Sequence, residues 1–166
     1  MNIRKTTFED LSEILKIYEH ARQFMRENNN PNQWGTVKPA VSQVENDIQN
    51  SKSYVCINDN NEIVGVFYFS IEEDPTYNYI EGKWLNDDKY GVIHRIAVKE
   101  NTKGIGTFCI NWAYEKCHNL KIDTHENNIP MRSLLKKIDF KFCGIIYLLD
   151  GNPRNAYQKS EKIERK

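Results

Sequence analysis

The stretch from Gly91 to Gly106 constrains this chain more than any other. An apolar run, Gly91 to Val98, passes through the loop Lys99 to Gly106 straight into a helical pattern, and the loop carries two glycines one residue apart. Glycines at 104 and 106 let backbone approach a ligand that Cβ atoms would block. The first N–H groups of the helix that follows have no internal partners, and with the helix dipole they suit an anion such as a pyrophosphate. Lys103 adds a point charge. The loop is not a Walker A sequence, and it lacks the third glycine of a dinucleotide fingerprint. By itself, Gly-x-Gly is also compatible with a plain strand-to-helix turn.

The flanking segments fix the context. Asn2 to Lys5 predicts a strand, and Thr6 with Glu9 forms a capping-box pattern that opens a helix. Leu11, Ile14, Tyr18, Ala21 and Met25 give that helix one apolar stripe. A second helix is expected over Val41 to Gln49. Tyr54 to Ile57 and Glu62 to Ile71 read as strands joined by the turn Asp59-Asn60-Asn61. Asp74 to Leu85 reads as an irregular, aromatic-rich insert. The helix after Gly106 runs to about Cys117 with Ile105, Cys109, Trp112 and Ala113 on its core face. Leu120 to Thr124 is a strand, and Met131, Leu134, Leu135 and Ile138 mark a helix with Pro130 near its first turn. Phe142 to Leu149 and Asn155 to Gln158 are the last strands, followed by a charged, solvated tail from Gln158. The order β-α-α-β-β-β-α-β-α-β-β predicts an α/β (α+β) fold: a mixed, mostly antiparallel central sheet with helices on both faces.

Length and charge narrow the functional classes. The 166 residues suit one domain spanning 1–166. Lys plus Arg and Asp plus Glu both number 23, so no global field favours nucleic acid or an anionic membrane. No apolar run is long enough to cross a bilayer and the N-terminus lacks a secretory signal, so a cytoplasmic protein is expected. Cys56, Cys109, Cys117 and Cys143 are scattered without metal-ligand spacing, which predicts buried free thiols and no metal.

The string from Ile93 to Ala113 resembles motif A of the GNAT superfamily of N-acetyltransferases, in which an apolar strand ending in valine leads into a Gln/Arg-x-x-Gly-x-Gly/Ala loop. Here that loop is Asn101-Thr102-Lys103-Gly104-Ile105-Gly106. The strand Leu120 to Thr124, then Asn128 to Met131 opening a helix that ends at Asp139-Phe140, fits the next motif, and the element order matches the acyl-CoA N-acyltransferase (GNAT) fold. The resemblance implies acetyl-CoA as cosubstrate. Backbone groups of Ile96, Ala97 and Val98 would pair with its pantetheine arm. The amides of Asn101, Thr102, Lys103, Gly104, Ile105, Gly106 and Thr107 would hold the pyrophosphate, and Asn128 would touch the cofactor. Asp123 to Asn127 would line the other wall. Three positions depart from the family pattern: Asn101 replaces Gln or Arg, Leu135 stands where a tyrosine acid is common, and Asp139 replaces the glycine before phenylalanine.

Acetylating an amine demands a base, since an alkylammonium has a pKa of about 10, and a donor for the oxyanion, for which the Val98 amide is suited. His94 is the candidate base. Period-2 parity puts it on one face with Ile96 and Val98, and its strand resembles that of the arylalkylamine branch. A packed histidine is the competing reading. His125 and, as a fallback acid, Tyr147 are further catalytic candidates, with structural roles as their alternatives. Arg95, of opposite parity, is expected in a structural ion pair. Trp34, Tyr79 and Trp84 are candidate acceptor-binding aromatics; they could equally cap the core or form a homodimer contact. The expected function is acetyl transfer to a small-molecule primary amine. The alternatives are acetylation of protein N-termini or lysines, a catalytically silent acyl-CoA-binding module, and a nucleotide-binding regulator, which the missing Walker residues disfavour.

Overall fold

A computed structural model describes residues 1–162. The strands are β1 (Asn2–Lys5), β2 (Ser53–Ile57), β3 (Ile63–Ile71), β4 (Glu81–Gly82), β5 (Gly91–Val98), β6 (Asn119–Thr124), β7 (Lys141–Tyr147) and β8 (Pro153–Ser160). The helices are α1 (Leu11–Glu27), α2 (Val41–Gln49), α3 (Ile105–Cys117) and α4 (Ile129–Lys137). The eight strands form one sheet in the order β1-β2-β3-β5-β6-β8-β7-β4. It is mostly antiparallel, as expected; β5 and β6 are parallel, paired at Gly91–Leu120 and Val92–Lys121, near the start of both strands. Among the described residues no helix is long and apolar enough to cross a membrane.

Two compact units divide the chain: Met1–Phe69 with His94–Asn111, and Ser70–Ile93 with the chain from Trp112 onward. In the first, α1 and α2 bury Ile14, Ile17, Tyr18, Val44 and Ile48 with Val55, Ile57, Val66 and Ala97 of the strands. The entry to α1 differs from the sequence expectation by one residue. Thr6 stays with the sheet, its N–H donating to Ser53 O at 2.9 Å and its hydroxyl bonded to that of Ser53 at 2.8 Å. The cap therefore falls to Thr7, whose N–H donates to Asp10 Oδ2 at 2.8 Å. Arg4 holds the same carboxylate with two bonds, of 2.8 and 2.9 Å. The β2–β3 hairpin turns as expected, with Asn58 Oδ1 accepting from Asn60 and Glu62 N–H groups at 2.9 Å and Asn61 at φ 62°.

Five further expectations are corrected, most of them in the second unit. The aromatic insert contains β4, which pairs Glu81 with Ile145 and Gly82 with Gly144. The segment expected to be a solvated tail from Gln158 instead continues β8 to Ser160, and Gln158 is fully buried because its amide bonds Asn119, Asn86 and the Leu85 N–H; residues 163–166 of that tail lie outside the described residues. β7 stops at Tyr147 because the turn Leu148–Asn152 follows. On α3 the fully buried residues include Ile110, whereas Trp112 is half-exposed with Lys116 over its ring at 5.1 Å. All four cysteines are free, and Cys117 is only partly buried.

Lys121 of β6 is 4% exposed, with its ammonium 4.1 Å from the Trp84 ring centroid and 3.9 Å from that of Tyr90. Burial pushes its pKa down from the usual 10.5 to about 8. The unfolded chain therefore binds more protons between those values, and stability rises with pH through that window. Urea unfolding at pH 7 and pH 10.5 should show the native chain gaining about 3 kcal/mol relative to Lys121→Met; identical pH responses would contradict the assignment. In the first unit, a Cβ on Gly65 of β3 would lie 2.9 Å from Ile105 Cγ2. Gly65→Ala should cost about 2 kcal/mol, a Tm drop of roughly 4–8 °C. An unchanged Tm would mean that α3 has room to shift.

Candidate active site

Strand β5 does not keep its alternation. Arg95, a non-glycine residue, sits at φ 50°, inside the left-handed region. Two consecutive side chains consequently meet one ring: His94 lies 5.6 Å from the Tyr68 centroid and the Arg95 guanidinium 4.6 Å from it. Ala97 then enters the core and Val98 is exposed. The regular parity that grouped His94 with Ile96 and Val98 fails at this residue, and no periodicity signal announces it. Arg95 forms the expected ion pair, its Nε and Nη2 donating to the Asp47 carboxylate at 2.8 and 2.9 Å.

Beyond β5, the Lys99 N–H donates to Val64 O at 2.8 Å and the Thr102 hydroxyl to Lys99 O at 2.6 Å, which folds the loop back on itself. Asn101 has φ 60° and Gly104 φ 75°. Asn tolerates the left-handed region where Gln or Arg would resist it, a backbone reason for the departure at 101. Ile105 is buried against Gly65 and already belongs to α3, so Gly106 lies inside the helix rather than in the loop. A first helical bond runs from Phe108 N–H to Gly104 O at 3.0 Å. The N–H groups of Ile105, Gly106 and Thr107 precede it and face the helix entrance. A Cβ built on Gly104 meets nothing within 4 Å. The loop thus offers an open approach over a glycine to a helix N-terminus, with Lys103 exposed beside it. An anion of pyrophosphate size fits that chemistry. His20 and Glu100, 3.4 Å apart, tie the loop to α1. Trp34, in the same unit, packs edge-on to Tyr18 at 5.7 Å.

The other candidates belong to the second unit. His125 Nδ1 accepts the Asn127 N–H at 3.0 Å, and burial, then the Arg154 charge, pushes its pKa down. That bond puts the proton of the neutral imidazole on Nε2. Asn128 caps α4, its Oδ1 accepting from Met131 N–H at 3.2 Å. Leu135 is fully buried. Tyr147 donates its hydroxyl proton to Glu81 Oε1 at 2.8 Å, which raises its pKa, and its ring lies 6.4 Å from that of Tyr79. In the sheet order β8 separates Tyr147's strand from β6, so the structure does not bring Tyr147 to the strand that leads to His125. Trp84 donates to Tyr77 O at 2.9 Å and covers Lys121. Tyr77 is a residue that the sequence reading missed: buried, it donates to Asp123 Oδ1 at 2.6 Å, and burial with that carboxylate holds its pKa well up. Its sequence signal was only membership of the aromatic insert. Among the described residues no group of three or more His, Cys, Asp or Glu side chains is placed to hold a metal ion.

Comparison with known proteins identifies the family and the fold. The sequence model of the acetyltransferase (GNAT) family matches residues 13–140. A GNAT-family acetyltransferase from Streptococcus agalactiae is 29% identical with a TM-score of 0.87, covering 99% of this chain and 96% of its own. A phosphinothricin acetyltransferase from Sinorhizobium meliloti, solved with acetyl-CoA, is 14% identical with a TM-score of 0.66, covering 99% and 91%. A ribosomal-protein-alanine N-acetyltransferase from Brucella melitensis is 18% identical with a TM-score of 0.62, covering 96% and 99%. These last two share the fold alone. No curated protein matches the sequence significantly. With the family's pattern running from the first helix to Phe140, and its fold matched over nearly the whole length, the chain belongs to the GNAT family of acetyltransferases.

Proposed function

We propose that this chain transfers the acetyl group of acetyl-CoA to a primary amine of a small molecule. The observation that carries the reading is Gly104: left-handed, uncovered, and immediately before the first residue of α3. In this reading the amides from Asn101 to Thr107 receive the pyrophosphate, and the backbone of Ile96 to Val98 pairs with the pantetheine arm. The thioester supplies an acyl carbon for nucleophilic attack and a thiolate that leaves readily. His94 takes the ammonium proton through water, leaving the amine lone pair free to attack. The Val98 N–H receives the developing oxyanion. Leu135 is buried and Tyr147 is committed to Glu81, so the thiolate departs without a dedicated acid.

Two fold relatives are named for phosphinothricin and for ribosomal-protein alanine, so the fold by itself does not choose the acceptor. Exposed Tyr79, its ring 6.4 Å from that of Tyr147, supports a compact aromatic acceptor contact over an extended peptide groove, whereas Trp34 and Trp84 are engaged in packing on Tyr18 and Lys121. A second reading, a silent acyl-CoA-binding module, is favoured by the buried Leu135 alone.

One experiment separates them. Thiol release from acetyl-CoA is followed across small amines, lysine peptides and free peptide N-termini, with CoA affinity measured by calorimetry. Turnover confined to small amines is expected; turnover only on peptides would replace the acceptor class, and tight CoA binding without turnover would support the silent module. Gly104→Val should weaken CoA binding by roughly 100-fold, because its side chain occupies the phosphate approach, while backbone strain of about 1–2 kcal/mol leaves the fold intact. Unchanged affinity would remove the loop from the site.

A further inference from the structure

Arg95 adopts φ 50° in the middle of a strand, a conformation that its Cβ resists and that persists only where the surroundings hold it. Three neighbours do so. From α1, the Tyr18 hydroxyl donates to Arg95 O at 2.9 Å, with Tyr18 itself 2% exposed. From α2, buried Asp47 grips the guanidinium at Nε and Nη2. From β3, Tyr68 lies against the guanidinium's face. Main chain and side chain are thus pinned from separate elements of one unit.

A buried ion pair serving stability alone has no need of a left-handed backbone, and such pairs are weak sources of net stability. A strand running regularly from Gly91 to Val98 would point successive amides alternately to its two neighbours. The turn at Arg95 changes the direction of the groups that follow, which are Ile96, Ala97 and Val98. Strain of this kind, held by a dedicated set of contacts, points to a functional aim.

We propose that Tyr18, Asp47 and Arg95 form a positioning lock that keeps β5 turned at Arg95 and so aims the Ile96–Val98 backbone at the acetyl thioester. The proposal rests on the acetyl-transfer reading above, with Tyr18 and Asp47 acting only through Arg95.

The test compares two double variants, Asp47→Asn/Arg95→Ala and Asp47→Asn/Arg95→Gly. Both lack the ion pair and the contact with Tyr68, and neither leaves a carboxylate buried alone; only glycine takes positive φ without a Cβ penalty. The glycine variant should show a kcat about 10-fold above the alanine variant, with KM values for acetyl-CoA within about threefold of each other. Equal kcat in the two would overturn the lock, since loss of a purely structural pair affects both alike. If the alanine variant fails to fold, Tyr18→Phe supplies the split: a kcat roughly fivefold lower at unchanged KM supports the lock, and an unaltered kcat overturns it. A native chain that releases no thiol with any amine would sink the acetyl-transfer reading instead. The lock is then judged on amide resonances of Ile96–Val98: native positions in the glycine variant and displaced ones in the alanine variant support it, and any other pattern overturns it.

Discussion

The contact between Gly65 and Ile105 is the constraint on which the rest of the candidate site depends. A residue with a side chain at 65 would push back the first residue of α3, and the helix entrance would no longer stand directly after β5. With Ile105 seated in the core, the chain must reach it from Val98 in a short loop, and it does so through left-handed residues at Asn101 and Gly104. Packing therefore sets the turn, and the turn leaves Gly104 open where the helix presents its unpaired amides. A third left-handed residue, Arg95, lies just upstream. Its guanidinium, fixed by Asp47 and Tyr68, ties the strand's geometry to α2 and β3 rather than to local sequence preference.

In the other unit the governing interactions are polar and buried. Gln158, Asn119 and Asn86 bond one another, and Asn86 reaches on to Ser160 and Lys162 O. Each amide group finds partners, as burial requires. The segment between β3 and β5 that supplies Asn86 also covers Lys121 with Trp84 and Tyr90 and sends Tyr77 to Asp123. Its aromatics thus have a packing duty that composition alone could not separate from ligand contact. Tyr79, exposed near the Tyr147–Glu81 pair, lies apart from that packing.

The sequence disclosed what depends on local chemistry. The apolar stripe of α1, the Asn-rich hairpin turn and the Pro130 start of α4 stand where their residues indicate, and Gly104 stands in the loop before α3, which Gly106 does not. Long-range partners hid the rest. Thr6 looked like a cap until Ser53, 47 positions away, claimed it for the sheet. Gln158 looked like the start of a polar tail, and only its amide partners reveal a buried strand residue. The turn at Arg95 was invisible because nothing in Ile93-His94-Arg95-Ile96 distinguishes it from a regular strand, whereas its stabilising groups sit on α1, α2 and β3. Leu135 was legible as a missing acid, and its complete burial explains its residue type.

In the proposed enzyme, bare amides at the start of α3 hold the diphosphate of CoA. Titrating the uniformly nitrogen-15-labelled chain with CoA and following every backbone amide tests this directly. The largest shifts should fall on Gly104, Ile105, Gly106 and Thr107. Saturable CoA binding that leaves those four amides unmoved would contradict the claim.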